Sequence, residues 1–132
     1  RAYFEHKANH AQTKTKAPAT IAILNYNGEE MLDSYLPMTE YSCGKNDVDI
    51  LVIDNGSTDD SLEYLEEWHP EINIVSLSQN YGFAEGYNRG VKDIDTEYMV
   101  LLNSDVLVTE GWLDPILDMM DNDCGFPHLK LI

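Results

Sequence analysis

The sequence predicts a single α/β domain, a mainly parallel sheet with helices on both faces. Three observations lead there. Short runs rich in branched apolar residues alternate four times with amphipathic stretches. Those runs are continuously apolar, as strands covered on both faces require. Asn, Asp and Gly gather just after each run, where loops leave such a sheet. With 132 residues and 43% hydrophobic content there is room for one domain with one sizeable core.

The elements follow in order. Residues 1–19, RAYFEHKANHAQTKTKAPA, hold no sustained apolar period and read as an arm or tail ahead of a domain over 20–132. His6 and His10 could share a helical face, but no third ligand accompanies them, so ordinary surface histidines are expected. TIAILNYN from Thr20 is the first strand, and EEMLDSYLPMTEYS after Gly28 the first helix, which Pro37 should bend or end early. A second strand runs from about Asp49 to Asp54. After a polar turn comes a helix in which Leu62, Leu65 and Trp68 share a face, with Ser57 and Asp60 as a capping-box pair at its start.

INIVSLS, Ile72 to Ser78, is the third strand and leads into NYGFAEGYNRGVKDI. Gly82, Gly86 and Gly90 recur there every four residues; on a helix they would form one bare stripe, open to close approach by a strand or a ligand. YMVLLN forms a fourth strand ending at Asn103, and WLDPILDMMD after Gly111 a further helix.

Charge narrows the function. The formal net charge is −16. Residues 1–20 carry four basic side chains and one acidic, net +3, which leaves −19 for the body, where only Lys45, Arg89, Lys92 and Lys130 are basic. Such a surface repels phosphate backbones and anionic lipid, so no nucleic-acid partner is expected. A phosphorylated ligand would need a divalent cation or backbone N–H groups as its source of positive charge. Cys43 and Cys124 have no metal-binding spacing and read as reduced thiols. No apolar run is long enough to span a bilayer and no signal peptide is visible, so a soluble intracellular domain with no transmembrane segment is the expectation.

Familiar nucleotide motifs are missing. There is no GxxxxGK[ST], no GxGxxG after the first strand and no EF-hand register at Asp54 to Asp60, and DNDCG at Asp121 to Gly125 is too short to count. Ser57 and Ser104 have no histidine near them in sequence, so nucleophilic catalysis has no support. The unusual polar residues instead sit at strand ends: Asn25, Tyr26 and Asn27 after strand one, Asp54 and Asn55 after strand two, Asn103, Ser104 and Asp105 after strand four. Open parallel sheets bind ligands there. Asn27-Gly28 alone reads as a turn before it reads as a ligand contact. Asp54 at a buried strand end needs a donor, which either a ligand or a helix cap would supply. For Asp105 a metal ion and a structural hydrogen bond are both open.

The order ILNYNG, VIDNGSTDDS, NYGFAEGYNRG, LLNSD, GWLDPIL resembles the nucleotide-sugar-binding half of a family 2 glycosyltransferase of the GT-A fold, particularly its rhamnosyltransferase-like members, over Ala19 to Asp121. The resemblance implies that Tyr26, with Asn25 and Asn27, contacts a pyrimidine base and ribose. Asp54, beside Asn55, would read the uracil or thymine edge. Gly86 and Asn88 would approach the diphosphate and sugar. Asn103, Ser104 and Asp105 stand where the family has its DxD motif, so Asp105 is the implied metal ligand for Mg²⁺ or Mn²⁺. Asn103 replaces the first acid of that motif, leaving one carboxylate, and Tyr87 stands where many relatives carry Arg.

The implied activity is inverting transfer from a UDP- or dTDP-sugar to a glycan or lipid-linked acceptor in polysaccharide biosynthesis. It would be cytoplasmic, peripheral at the inner membrane face through a region outside this chain, with a homodimer among the open assemblies. The acceptor half, which would carry the catalytic base, is expected to be missing, so the chain reads as truncated after HLKLI and no base is named. Two alternatives differ in class. A sugar-nucleotide nucleotidyltransferase should carry a basic Gly-rich loop after strand one, where NYNGEEML has two acids. A nucleotide-sugar binding module without turnover suits a chain lacking its second half.

Overall fold

A computed structural model describes residues 19–43, 48–122 and 129–131. Of the arm expected over residues 1–19, only Ala19 is described, and it opens the first strand; the rest of it, the His6/His10 pair, Lys45 and Cys124 lie outside the described residues.

The elements alternate as the sequence predicts: β1 (Ala19–Asn25), α1 (Glu29–Cys43), β2 (Val48–Asp54), α2 (Ser61–Trp68), β3 (Asn73–Ser76), α3 (Phe83–Val91), β4 (Tyr98–Leu102), α4 (Leu113–Asn122) and β5 (Leu129–Leu131). The strands form one sheet in the order β3-β2-β1-β4-β5, and each pairing is parallel. Helices cover both faces. Odd positions of β1 and even positions of β2 and β4 (Ile21, Ile23, Val52, Val100, Leu102) meet Leu32 and Leu36 of α1, Leu65 of α2 and Leu113 and Met120 of α4. The opposite face, Ala22, Leu51, Ile53 and Leu101, packs against Tyr87 and Val91 of α3.

Three local expectations are corrected. Pro37 does not end helix α1, which continues past it to a length of 15 residues. Pro37 is exposed, so the Asp33 carbonyl that loses its i+4 donor can turn to water. Ser57 does not cap α2, which begins at Ser61; Asp59 serves that end, its Oδ1 accepting from the Ser61 N–H (3.0 Å) and hydroxyl (2.6 Å). Trp68 is 66% exposed while Leu65 is fully buried. The inward place one turn after Leu65 falls to His69, whose Nδ1 lies 2.8 Å from Glu40 Oε1 of α1 and whose Nε2 lies 3.0 Å from the Tyr64 hydroxyl.

The glycine stripe resolves in favour of the strand. Gly82 precedes α3, while Gly86 and Gly90 lie within it and face the sheet. A Cβ at Gly90 would sit 2.5–2.6 Å from three side-chain carbons of Ile53, and one at Gly86 would meet Asn55 Nδ2 at 2.9 Å and Leu24 Cδ1 at 3.1 Å.

Candidate functional site

The sheet order places the topological switch between β1 and β4: the chain moves outward from β1 through β2 to β3, then returns to the other side of β1 for β4. Ligand crevices of open parallel sheets form at such a point, outside the carboxyl ends. The strand-end residues singled out in the sequence sit on the adjacent strands β2, β1 and β4 at that end.

Pleating decides what each one touches. Asn25 and Asp54 are direct register partners and share the face of α1 and α2. Both are 1% exposed. Asn25 Nδ2 donates to Asp54 Oδ1 (3.0 Å) and Ser57 Oγ (3.3 Å), and the Ser57 N–H donates to Asp54 Oδ2 (3.0 Å). The donor that a buried Asp54 requires is thus supplied by Asn25 and the β2–α2 loop, not by a helix N-terminus. Asn25 Oδ1 accepts no hydrogen bond among the described residues.

Asn55, the next residue, faces α3 and locks the β3–α3 loop. Its Nδ2 donates to Asn80 Oδ1 and the Gly82 carbonyl, both at 3.0 Å, and its Oδ1 accepts the Tyr81 N–H at 3.0 Å. Asn27, at φ 48°, binds the loop on the other side. Its Oδ1 accepts from the N–H groups of Thr58 (2.7 Å) and Asp59 (3.1 Å), and its own N–H donates to Ser57 Oγ (2.8 Å). Asparagine tolerates that left-handed backbone better than most residues. These four residues build the rim. Tyr26 (48% exposed), Asn88, Asn103 and Asp105 stay open to solvent, Ser104 is half-buried and Gly86 is buried on the sheet-facing side of α3.

Sequence reasoning missed Ser57 as a tie between the first two loops, Asn80, and Tyr87. Ser57 was legible only as a helix-cap candidate, because the partners it ties together lie 30 or more positions away. The buried Tyr87 hydroxyl accepts from the Leu24 N–H and donates to the Leu102 carbonyl, both at 3.3 Å, just beyond the last β1–β4 register pair. It satisfies the backbone where the two strands separate, and burial raises its pKa.

Electrostatically the rim is acidic. Partial desolvation raises the Glu29 pKa, and the carboxylates of Asp60, Asp59, Asp33 and Glu30 add to it. Partial burial works to raise that of Asp59, but the Ser61 hydroxyl and N–H and the Glu29 N–H prevail and hold it below the usual range. Arg89 is engaged on α3, its Nε 2.6 Å from Glu85 Oε2 and its guanidinium 4.0 Å above the Tyr81 ring. No group of three His, Cys, Asp or Glu side chains that could hold a metal exists among the described residues. The exposed Asp105 carboxylate, with the Asn103 and Ser104 side chains, offers hard oxygen donors suited to Mg²⁺ or Mn²⁺, with the remaining ligands to come from phosphate and water.

The sequence profile of the family described as "Glycosyl transferase family 2" matches residues 20–126. An uncharacterized glycosyltransferase of Haemophilus influenzae is 26% identical over 107 residues, covering 79% of this chain and 33% of its own length. A mannosyltransferase of Pyrobaculum calidifontis, in complex with GDP-Man and Mn²⁺, superposes with a TM-score of 0.65 at 18% identity, covering 94% of this chain and 41% of that one. S. aureus TarS 1-349, in complex with UDP-GlcNAc, gives 0.64 at 19% identity, covering 83% and 37%. The fold is thus the GT-A type, and the chain spans about a third or less of the length of the curated relatives it matches. No helix among the described residues is long and apolar enough to cross a membrane.

Proposed function

The chain belongs to glycosyl transferase family 2, and from that premise we propose that it is the donor-binding part of an inverting glycosyltransferase that takes a UDP- or dTDP-sugar. One observation carries the reading: Tyr26, Asp54 and Asn103–Asp105, far apart in sequence, lie at or just beyond the carboxyl ends of three adjacent strands, around the switch point of the sheet.

The residues divide the work. Tyr26 offers its ring to the pyrimidine and the ribose lies against Asn27, while the buried Asn25 holds Asp54 beneath them. Asp54, held by Asn25 and Ser57 and 1% exposed, would accept the ring N–H of uracil or thymine on a remaining lone pair once the loops above it part, a donor that cytosine lacks at that edge. Asn55 holds the loop in front of α3, where Gly86 allows close packing and Asn88 faces the diphosphate and sugar. Asn103, Ser104 and Asp105 would hold Mg²⁺ or Mn²⁺, which when bound neutralises the charge of the departing diphosphate. An engaged Arg89 and an acidic rim leave few side-chain cations for that task.

The single acid at Asp105 favours the rhamnosyltransferase-like subtype, with weak metal affinity until nucleotide is present. The acceptor, a glycan or lipid-linked sugar of polysaccharide biosynthesis, and the catalytic base belong to the portion the relatives have beyond this length; the setting is cytoplasmic, at the inner membrane face. A nucleotidyltransferase reading is disfavoured by Glu29 and Glu30, whose charge opposes a triphosphate after β1.

Calorimetry with UDP, dTDP and GDP, with and without Mn²⁺, tests the proposal. Heat with the pyrimidine nucleotides that grows with Mn²⁺, and loses that growth in Asp105→Ala, supports it. A folded sample that binds neither UDP nor dTDP refutes it.

A further inference from the structure

Phe83 has no part in the site described so far, yet it opens α3 and packs on a residue that lines the crevice. Its ring is 5.1 Å from that of Tyr87 in an edge-to-face arrangement. The Tyr87 hydroxyl touches both walls of the switch point, Leu24 of β1 and Leu102 of β4, and Asn103 to Asp105 follow directly on Leu102. Phe83 lies one turn nearer the α3 N-terminus than Tyr87, and so farther out beyond the strand ends.

The ring is 55% exposed, and the backbone that presents it is fixed. Gly82 has φ 84° and ψ −177°, a conformation essentially confined to glycine. Its N–H is held by Asn80 Oδ1 at 2.8 Å and its carbonyl by Asn55 Nδ2 at 3.0 Å. A strained glycine locked by a buried asparagine, followed at once by a half-exposed phenyl, presents that ring on a fixed backbone. What sets Phe83 apart from other exposed apolar side chains such as Trp68 is not its exposure but this fixed backbone and its contact with Tyr87.

We propose that Phe83 is the stacking residue for the sugar ring of the donor, which rests on the donor-site reading above. A pyranose presents polarised C–H bonds on one face, and those complement the negative face of a phenyl ring. The connection favours the sugar over the base: Phe83 packs on Tyr87, whose hydroxyl reaches the Leu102 carbonyl just before Asn103–Asp105, where the diphosphate and its metal would lie, whereas Tyr26 follows β1 for the base.

The test measures affinity, with Mn²⁺ present, for UDP and for the tightest binder among UDP-glucose, UDP-GlcNAc and dTDP-rhamnose. Phe83→Ala should bind UDP like the parent and the nucleotide sugar about three- to tenfold more weakly. Phe83→Tyr should keep parental affinity, and Phe83→Leu, which retains bulk without the ring and guards against misfolding of the alanine variant, should behave like Phe83→Ala. Equal loss for UDP and nucleotide sugar, or no loss for either, overturns the assignment. If the parent itself binds no UDP, the donor-site reading falls and takes this inference with it.

Discussion

Replacing Asp54 by Asn changes one atom and tests how the rim is held. Both Asp54 oxygens accept hydrogen bonds, one from the Asn25 amide at 3.0 Å and one from the Ser57 N–H at 3.0 Å. In Asp54→Asn the new NH₂ group must face one of those donors, and with the site 1% exposed water cannot relieve the clash. A buried donor left unpaired costs about 1–3 kcal/mol, and exchanging the surviving charge-assisted bond for a neutral one adds about 1 kcal/mol. A total of about 3 kcal/mol lowers Tm by roughly 12 °C for a domain of this size. Adding Asn25→Asp should undo most of this, because the pair then keeps its bond with the roles exchanged. The new amide at position 54 donates to the new carboxylate at position 25, the Ser57 N–H finds the amide oxygen at position 54, and the Ser57 hydroxyl can donate to the relocated carboxylate as well. Thermal and urea unfolding of the two single variants and the double variant measure the coupling. The double variant should return to within about 1 kcal/mol of the parent, yet bind UDP poorly, because the carboxylate has moved from the base edge. A near-neutral Asp54→Asn, or strictly additive effects, would refute the reasoning.

Other perturbations have equally definite outcomes. Gly90→Ala places a methyl 2.5–2.6 Å from three carbons of Ile53; overpacking of about 3 kcal/mol outweighs a helix-propensity gain of about 1 kcal/mol, so urea unfolding should show a net loss near 2 kcal/mol. In an Ile53→Ala background, where all three carbons are gone, the same change should stabilise. Glu29→Gln should raise Tm at neutral pH and low salt: with a raised native pKa, Glu29 favours folding only below its unfolded value, and that contribution is lost as pH rises through the native one. Melting curves at pH 3 should show no such gain. Asp59 has the opposite sign, its stabilisation present above its unfolded pKa and lost on acidification, so Asp59→Asn should destabilise at pH 7 and matter little at pH 2. Burial pushes the Cys43 thiol up to about 11; iodoacetamide at pH 8 should leave it unlabelled in native protein and alkylate it in urea, as read by peptide mapping.

Much of the architecture was legible because parallel strands carry a simple signal. The runs at Thr20, Asp49, Ile72 and Tyr98 are apolar on both sides, and the amphipathic stretches between them have few other places to go. Boundaries and caps were less legible. Pro37 reads as a helix breaker in isolation, but its exposed position removes most of the cost. Trp68 reads as core by spacing, and only the packed structure shows that His69 reaches the inward place. At the site, sequence located the strand-end residues but not their mutual bonds. Whether Asn55 holds Asn80 or a ligand depends on a loop 25 residues away, and whether Asp54 is free depends on which way each strand's pleat turns its last side chain.

The most direct test uses Mn²⁺ as a relaxation probe. In amide NMR spectra of the parent with UDP, substoichiometric Mn²⁺ should broaden the signals of Asn103, Ser104 and Asp105 first, then those of Tyr26, Asn27 and Phe83 across the crevice, while Trp68 and His69 at the far end of α2 stay sharp. Broadening centred on Glu29, Asp59 and Asp60, or spread evenly over the acidic surface, would contradict a donor site at the β1–β4 switch.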